Sequence, residues 1–228
     1  MNKQLEPFQI QGRDFLAGRY HALLADQPGL GKTLQAIAAA ELLGLRNNLV
    51  VCPASVRDNW LAELNACLGS SWGWRVISYN ESVKLSRRPC PEPWDAVILD
   101  EAHFLKTPES QRTQAIFAND GGLARRACYK WCLTGTPVLN RPRELFPILK
   151  TLAPSFARMS YSHFTGRYCG AFFDGRGMNT KGATNLGELA GLMDGFMLRR
   201  TKREVFPDRR APLVSRVPLQ LASDDLVA

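Results

Sequence analysis

Short apolar runs of strand length alternate with longer segments of helical period over the first 155 residues, and this alternation limits the fold more than any other feature. Parallel strands need a crossover connection, usually a helix, so the alternation is typical of a parallel sheet covered by helices. The sequence therefore predicts an α/β domain with a mainly parallel central sheet flanked by helices. The predicted strands are residues 20–25, 49–52, 75–78, 96–99 and 129–133.

Two of the intervening helices have clear boundary signals. One is predicted over residues 33–43 and ends at Gly44, and the other covers residues 56–68 and ends at Gly69. Glycine is favoured just past a helix end because it adopts positive φ without a steric cost. Ser55 precedes the second helix, so we expect its side chain to cap that helix.

The pattern changes after residue 154, where aromatic and glycine-rich segments begin. We predict three parts: the α/β domain at residues 1–155, a small helical elaboration of the same domain at 156–195, and a basic exit segment at 196–228. Glycine-rich residues 174–184 are predicted to form a mobile loop. The basic residues of the exit segment are Arg199, Arg200, Lys202, Arg203, Arg209, Arg210 and Arg216.

A glycine-containing turn, residues 26–33, follows the first predicted strand and opens a helix. This context favours a phosphate-binding loop, since backbone N–H groups and the helix N-terminus can surround an anion. Lys32 is expected to reach the outer phosphates and Thr33 to offer its hydroxyl to Mg²⁺. The full G-x-x-x-x-G-K-T pattern is not met, because Asp26 stands at the first glycine. The residues expected to contact the nucleotide here are Asp26, Gly29, Leu30, Gly31, Lys32, Thr33 and Leu34.

Two carboxylates, Asp100 and Glu101, follow the apolar run at residues 96–99. A strand tip that carries two carboxylates beside a phosphate loop suits metal-assisted hydrolysis. We assign Asp100 to Mg²⁺ and Glu101 to the attacking water, and we count Lys32 with them as catalytic.

A third polar turn, residues 133–137, follows another predicted strand and carries the hydroxyls of Thr134 and Thr136. His103 comes just after the two carboxylates and is predicted to couple them to this turn. Three polar turns at the carboxyl ends of neighbouring strands indicate one site at that edge of the sheet.

Net charge, hydropathy and cysteine usage indicate which partners and which compartment to expect. A net charge of +8 favours a polyanion, since Lys and Arg release counterions when they meet phosphates. The sequence has no apolar run that could span a bilayer and no secretory signal, so we expect no membrane contact and an intracellular, cytoplasmic protein of bacterial or viral origin. The six cysteines lack metal-ligand spacing and are predicted to be buried, reduced thiols.

Seven motifs follow one another along the chain: Pro7-Phe8-Gln9 with Gly12, AD-x-x-GLGKTLQ (25–35), VVCPASVRDNW (50–60), ISYN (77–80), LDEAHFLK (99–106), LTGTPVLNRPRELF (133–146) and FMLRRTKREV (196–205). This ordered series resembles the N-terminal lobe of Swi/Snf-type ATPases of helicase superfamily two. Within that family it is most similar to the HARP-like annealing-helicase branch and its compact bacterial and viral relatives. The resemblance implies a RecA-like P-loop domain that uses ATP and Mg²⁺ and contacts the DNA backbone with little sequence specificity.

The resemblance also implies further residue roles. Gln9 would read the adenine edge, and Thr134 with Thr136 would link the nucleotide state to the grip on DNA. DNA or interlobe contacts are implied for Pro53, Ala54, Ser55, Ser78, Tyr79, Arg199, Arg200 and Lys202.

The sequence departs from the family pattern at two places. Gln27 and Pro28 replace the acidic residue and methionine common in the phosphate loop, and no second lobe with its arginine finger appears before Ala228. We therefore expect a second RecA-like lobe to act in cis or in trans, and weak or absent hydrolysis by this lobe alone.

Two other interpretations stay open at this stage. One is a non-hydrolysing module that binds DNA or a partner. This interpretation gives no role to the combination of Lys32, Asp100 and Glu101. The other is an unrelated P-loop kinase or GTPase, which gives no role to Gln9 or to residues 53–55.

Overall fold

The computed structural model describes residues 2–88, 93–118, 120–135 and 141–208. Its main sheet has six parallel strands in the order β3-β2-β4-β5-β1-β8, and a separate two-stranded antiparallel hairpin pairs β6 with β7. The strands are β1 (His21–Leu24), β2 (Asn48–Cys52), β3 (Trp74–Ser78), β4 (Trp94–Asp100), β5 (Ala127–Leu133), β6 (Phe172–Phe173), β7 (Met178–Asn179) and β8 (Met197–Leu198).

Helices cover both faces of the sheet, as strand–helix alternation predicts. One face packs against the first three helices through a cluster that includes Leu16, Ile37, Trp60 and Trp131. The helices are α1 (Pro7–Ala17), α2 (Lys32–Leu42), α3 (Arg57–Leu68), α4 (Tyr79–Ser86), α5 (Gln111–Phe117), α6 (Phe146–Leu152), α7 (Pro154–Ala157), α8 (Tyr161–Cys169), α9 (Leu186–Met193) and α10 (Lys202–Val205).

The residues after 155 share the core of the other sheet face. Phe156, Phe164 and Tyr168 belong to the same buried cluster as Leu99 and Cys132 of the central strands. The division at residue 155 therefore crosses a continuous core, and the three-part organisation stays a prediction.

The predicted loop at residues 174–184 contains part of the β6–β7 hairpin, which the sequence analysis did not predict. Asp174 Oδ1 accepts hydrogen bonds from the backbone N–H groups of Arg176 and Gly177, at 3.0 Å each. This side-chain-to-backbone turn lets two very short strands pair although neither has a strand-length pattern.

The predicted exit segment contributes a sixth strand to the main sheet. β8 pairs in parallel with β1, and Leu23 and Leu24 lie opposite Met197 and Leu198. Residues 209–228, with Arg209, Arg210 and Arg216, lie outside the described residues.

Two local predictions need correction. Ser55 does not cap α3, because a 3-10 turn at Ala54–Val56 precedes the helix and Val56 takes the N-cap position without a side-chain bond. Cys128 is exposed rather than buried, since it lies at the start of β5; Cys90 lies outside the described residues. The other cysteines are buried and unpaired. In the described part of the chain, no helix is long and apolar enough to cross a membrane.

Candidate active site

The sheet register brings three strand ends together at one edge. Leu133 lies opposite both Leu24 and Asp100, so the residues that follow β1, β4 and β5 are neighbours. The carboxyl edge of a parallel sheet is where such folds bind ligands. The predicted phosphate loop, carboxylates and threonine turn all start from this edge.

The loop between β1 and α2 has the backbone conformation of an anion cradle. Gly29 and Gly31 adopt φ values of 87° and 73°, a region that favours glycine. Gly31 is also the N-cap of α2 and has no side chain to cap the helix, so in the described part of the chain the first N–H groups of this helix, including those of Thr33 and Leu34, have no capping side chain from that residue. Leu30 is buried and anchors the loop to the core.

The side chain of Lys32 lies across the loop. Its Nζ donates to the backbone carbonyl of Asp26 at 2.9 Å. Burial lowers the pKa of the Lys32 ammonium, while the carboxylates of Glu101, Asp100 and Asp26 oppose this shift. A partly desolvated cation that already faces the predicted metal side fits a phosphate better than a solvated surface lysine does.

The carboxylate of Asp26 has a different role from the one predicted. It is fully buried, and its oxygens accept hydrogen bonds from Arg200 Nε at 3.0 Å and Arg200 Nη2 at 2.5 Å. Gln35 Nε2 donates to the same carboxylate at 3.3 Å. The Asp26 side chain thus holds the chain that follows β8, and only its backbone carbonyl meets the phosphate-loop lysine.

Asp100 is fixed in place by two hydrogen bonds. Trp60 Nε1 donates to Oδ2 at 2.7 Å, and the Glu101 backbone N–H donates to Oδ1 at 2.9 Å. Burial raises the pKa of the Asp100 carboxyl, and the bond from Trp60 opposes this rise. A nearby divalent cation would relieve the cost of this desolvated charge, which suits a metal ligand.

Glu101 adopts a left-handed backbone conformation with φ of 50°, which is uncommon for a residue other than glycine. Its side chain stays about a third exposed, at 34%. Strained backbone at the tip of a buried strand is frequent at functional sites, and here it directs a carboxylate towards solvent.

His103 lies between Glu101 and the third turn, and its predicted coupling role stays a prediction. Its Nδ1 lies 3.1 Å from Glu101 Oε2 and 3.3 Å from Oγ1 of the buried Thr134. A single ring nitrogen can therefore alternate between these two partners. Thr136, the other predicted threonine of this turn, lies outside the described residues.

Gln9 lies beside the phosphate loop. Its Oε1 accepts from the Glu6 backbone N–H at 3.1 Å, within the capping box of α1. Its Nε2 is close enough that a Cβ on Gly31 would come within 2.5 Å of it. The contact to adenine stays a prediction.

Sequence comparison identifies the family. A family model described as SNF2-related domain matches residues 8–87 and 75–220. The chain belongs to the SNF2-related domain family. It is 36% identical over 221 residues to the SWI/SNF-related matrix-associated actin-dependent regulator of chromatin subfamily A-like protein 1 of Bos taurus, covering 88% of this chain and 23% of that protein.

Two further relatives agree with this assignment. The chain is 30% identical over 250 residues to the DNA annealing helicase and endonuclease ZRANB3 of Mus musculus, covering 97% of this chain and 23% of that protein. It is also similar to the solved Sulfolobus solfataricus SWI2/SNF2 ATPase core in complex with dsDNA, with a TM-score of 0.70 and 27% identity over 89% of this chain and 45% of that one. The Swi/Snf resemblance and the α/β fold are confirmed, although this SNF2-related domain spans only 23% of the two curated relatives.

The residues implied in DNA contact divide into exposed and engaged groups in this SNF2-related domain. Ala54, Ser55 and Arg199 are exposed, and Pro53 is half-buried beside them. The Ser78 hydroxyl is instead engaged in capping α4. For the exposed residues, contact with DNA therefore stays a prediction.

Two of the implied DNA contacts are not supported as side-chain contacts. Tyr79 is buried, stacks on Phe104, and donates its hydroxyl to the Asp100 backbone carbonyl at 2.7 Å. Arg200 keeps only 12% of its side chain exposed, because its guanidinium pairs with Asp26. Both side chains hold the site together from inside the protein.

The sequence analysis did not predict that Trp60 and Gln35 bond the two aspartates, and it gave Tyr79 a role in DNA contact rather than its bond to Asp100. All three lie inside motifs that the resemblance had already marked, but motif order does not say which side chains meet. Trp60 ends the run VVCPASVRDNW, and an indole N–H in a buried position needs an acceptor, which was the one available signal.

Proposed function

We propose that this chain is the ATP-binding first lobe of a DNA-dependent ATPase that moves on or remodels DNA when a second RecA-like lobe completes it. The observation that carries the proposal is the meeting of the uncapped α2 N-terminus, Lys32, Asp100 and Glu101 at one sheet edge. A phosphate cradle beside two carboxylates is the arrangement that nucleotide hydrolysis requires.

The residues present fit ATP and Mg²⁺. The positive φ values of Gly29 and Gly31 turn backbone N–H groups towards a phosphate-sized ligand, and Lys32 lies across the same loop. Thr33 and Asp100 would hold Mg²⁺, an ion that takes one or two protein ligands and completes its shell with phosphate and water. Bound Mg²⁺ would neutralise charge on the phosphate oxygens.

The residues of the chain itself would then do the following work. Lys32 would bind the outer phosphates, and Glu101 would orient the attacking water and accept its proton. His103 would pass the state of Glu101 to Thr134, because its Nδ1 is within reach of both side chains. The exposed turn at Ala54 and Ser55 would contact the DNA backbone.

The relatives support DNA as the partner. One is named a DNA annealing helicase, and the related archaeal ATPase core was solved with dsDNA. The two-lobe requirement follows from the chemistry, since an arginine from a facing lobe can raise the hydrolysis rate by about 10³ to 10⁵. We therefore expect weak or absent hydrolysis by this lobe alone.

The test measures ATP binding and hydrolysis by the purified chain, with and without forked duplex DNA. Lys32→Ala should remove ATP binding, and Glu101→Gln should leave binding intact while it removes any turnover. Lys84→Ala and Glu109→Gln change exposed residues of the same types that have no predicted role in the site, and they serve as matched controls.

The outcomes separate the candidate functions. ATP binding that depends on Lys32, without turnover, supports a lobe that awaits its partner. DNA-stimulated turnover that both substitutions abolish means that the lobe completes its own site, for instance by self-association. A chain that binds DNA but no ATP is the alternative, a non-hydrolysing binding module, and this result refutes the motor proposal.

A further inference from the structure

The chain that follows β8 returns over the phosphate loop. The Gln27 backbone N–H donates to the Arg200 carbonyl at 2.9 Å, and the Lys202 backbone N–H donates to Gln27 Oε1 at 2.6 Å. The Thr201 hydroxyl caps α10 and completes a capping box with Glu204. These bonds, together with the Arg200–Asp26 ion pair, fix the backbone from which the Lys202 side chain extends.

The Lys202 side chain lies against the loop backbone at Gly29. Its Cε and Nζ are each 3.2 Å from the position that a Cβ on Gly29 would occupy. Gly29 has a φ of 87°, so the missing Cβ both permits this backbone and leaves room for the lysine. Among the described residues, no hydrogen bond or ion pair to the Lys202 ammonium is observed, and the residue is exposed.

Lys32 and Lys202 differ in what holds them. The Lys32 ammonium is anchored to the Asp26 carbonyl, whereas the Lys202 ammonium lies by the loop with no acceptor among the residues that the structure describes. A cation placed beside open backbone N–H groups adds to the positive potential of the cradle. A phosphate oxygen is the acceptor that this position lacks.

We propose that Lys202 is a second phosphate-binding lysine of the nucleotide site, which contacts the phosphate oxygens of ATP from its position beside Gly29. This inference rests on the proposed ATP binding. It assigns Lys202 to the nucleotide rather than to DNA, and it gives the segment after β8 a part in the site. Arg200 acts as a positioning residue, because its ion pair holds the segment that carries Lys202.

The experiment measures the Kd of ATP and of ADP by displacement of a fluorescent ATP analogue, with Mg²⁺ and without DNA. Lys202→Ala removes only the side chain and keeps the backbone bond to Gln27. Because a charge-assisted hydrogen bond to phosphate is lost, ATP should bind about tenfold more weakly. Lys202→Arg should recover most of the affinity, since guanidinium also binds phosphate.

Arg203→Ala is the matched control, because it removes one positive charge from the next residue of the same short helix, also exposed. Its Kd should stay within about twofold of the original chain, given that an exposed charge is screened by solvent and salt. Urea unfolding midpoints of both variants should match that of the original chain, which separates ligand contact from loss of fold.

Any other result contradicts the proposal that Lys202 binds phosphate. An unchanged ATP Kd in Lys202→Ala, or a loss of DNA affinity alone, overturns it while the ATP-binding proposal stands. Equal weakening by Lys202→Ala and Arg203→Ala indicates a general electrostatic effect and overturns it as well. If the original chain and Lys32→Ala both fail to bind ATP, the proposed function itself is refuted.

Discussion

Arg200→Met should strongly destabilise the fold, because it leaves the Asp26 carboxylate buried without its cation. Asp26 is fully buried, and its pair with Arg200 keeps only 12% of the arginine side chain exposed. The substitution retains an unbranched apolar side chain near the Phe8 ring, over which the guanidinium lies at 5.6 Å. The change therefore removes mainly the charge and its hydrogen bonds.

The size of the effect follows from the lost contacts. Arg200 bonds both oxygens of Asp26, the Gln35 side chain and the Phe8 carbonyl. Breaking a buried ion pair at one partner costs about 3–5 kcal/mol. For a chain of this length each kcal/mol lowers Tm by about 2–4 °C, so the expected drop is roughly 6–20 °C.

Urea unfolding followed by tryptophan fluorescence measures this loss, and the chain offers a matched control. Arg167 makes the same two-pronged contact to Glu188, but on the surface, with side-chain exposures of 47% and 39%. Arg167→Met should therefore change the unfolding free energy far less than Arg200→Met. The double variant Asp26→Leu/Arg200→Met should regain stability relative to Arg200→Met, since no charge is left buried.

A loss below about 1 kcal/mol for Arg200→Met would refute this reasoning, because the pair would then behave like a solvated surface contact. A loss equal to that of Arg167→Met would have the same meaning. In either case the segment after β8 would be held by its strand pairing and backbone bonds alone.

Three more substitutions, one with a matched control, test other parts of the site. Gly31→Ala and Gly44→Ala each place a side chain at positive φ, 73° and 67°, but only at Gly31 would the Cβ meet another residue, Gln9 Nε2 at 2.5 Å. Gly31→Ala should therefore weaken ATP binding, whereas the control Gly44→Ala should only lower stability. Equal Kd values for ATP in the two variants would contradict this prediction. Asp100→Asn should gain stability relative to the original chain as pH rises from about 4, because burial raises the folded-state pKa of this carboxyl, so the unfolded state releases the proton first and the original chain loses stability. Asparagine offers one acceptor oxygen to the two N–H donors at this position, so the test is how the difference in unfolding free energy in urea changes with pH, and a constant difference would count against the prediction. Tyr79→Phe removes the donor to the Asp100 carbonyl and should lower the unfolding free energy by about 1–2 kcal/mol without a change in DNA affinity. Weaker DNA binding at unchanged stability would indicate instead that Tyr79 contacts DNA.

The sequence predicted the five longer strands and the shared edge because the signals for both are local. Apolar runs, helix-ending glycines and polar strand tips each depend on a few neighbouring residues. Strand β8 escaped prediction because its two residues, Met197 and Leu198, cannot show a period, and their pairing with β1 depends on the tertiary structure. The Ser55 cap failed because a 3-10 turn moved the helix start to Arg57.

Contacts between motifs that are distant in the chain could not be predicted from the sequence either. The bond from Trp60 to Asp100 joins residues from α3 and β4, and the bond from Tyr79 joins α4 to the same aspartate. Motif order places these residues near one sheet edge. Which donor reaches which oxygen depends on rotamers and helix orientation, which only the packed structure determines.

Asp26 stands where the phosphate-loop pattern has its first glycine, and the register of strand β8 explains why. Leu24 lies opposite Leu198, so two residues further along each chain Asp26 reaches the level of Arg200. The backbone bonds continue in the same register, from Ala25 N–H to the Leu198 carbonyl and from Gln27 N–H to the Arg200 carbonyl. A glycine at position 26 would satisfy the loop geometry but would leave the Arg200 guanidinium without its countercharge. The aspartate therefore ties the predicted phosphate loop to the segment that follows β8.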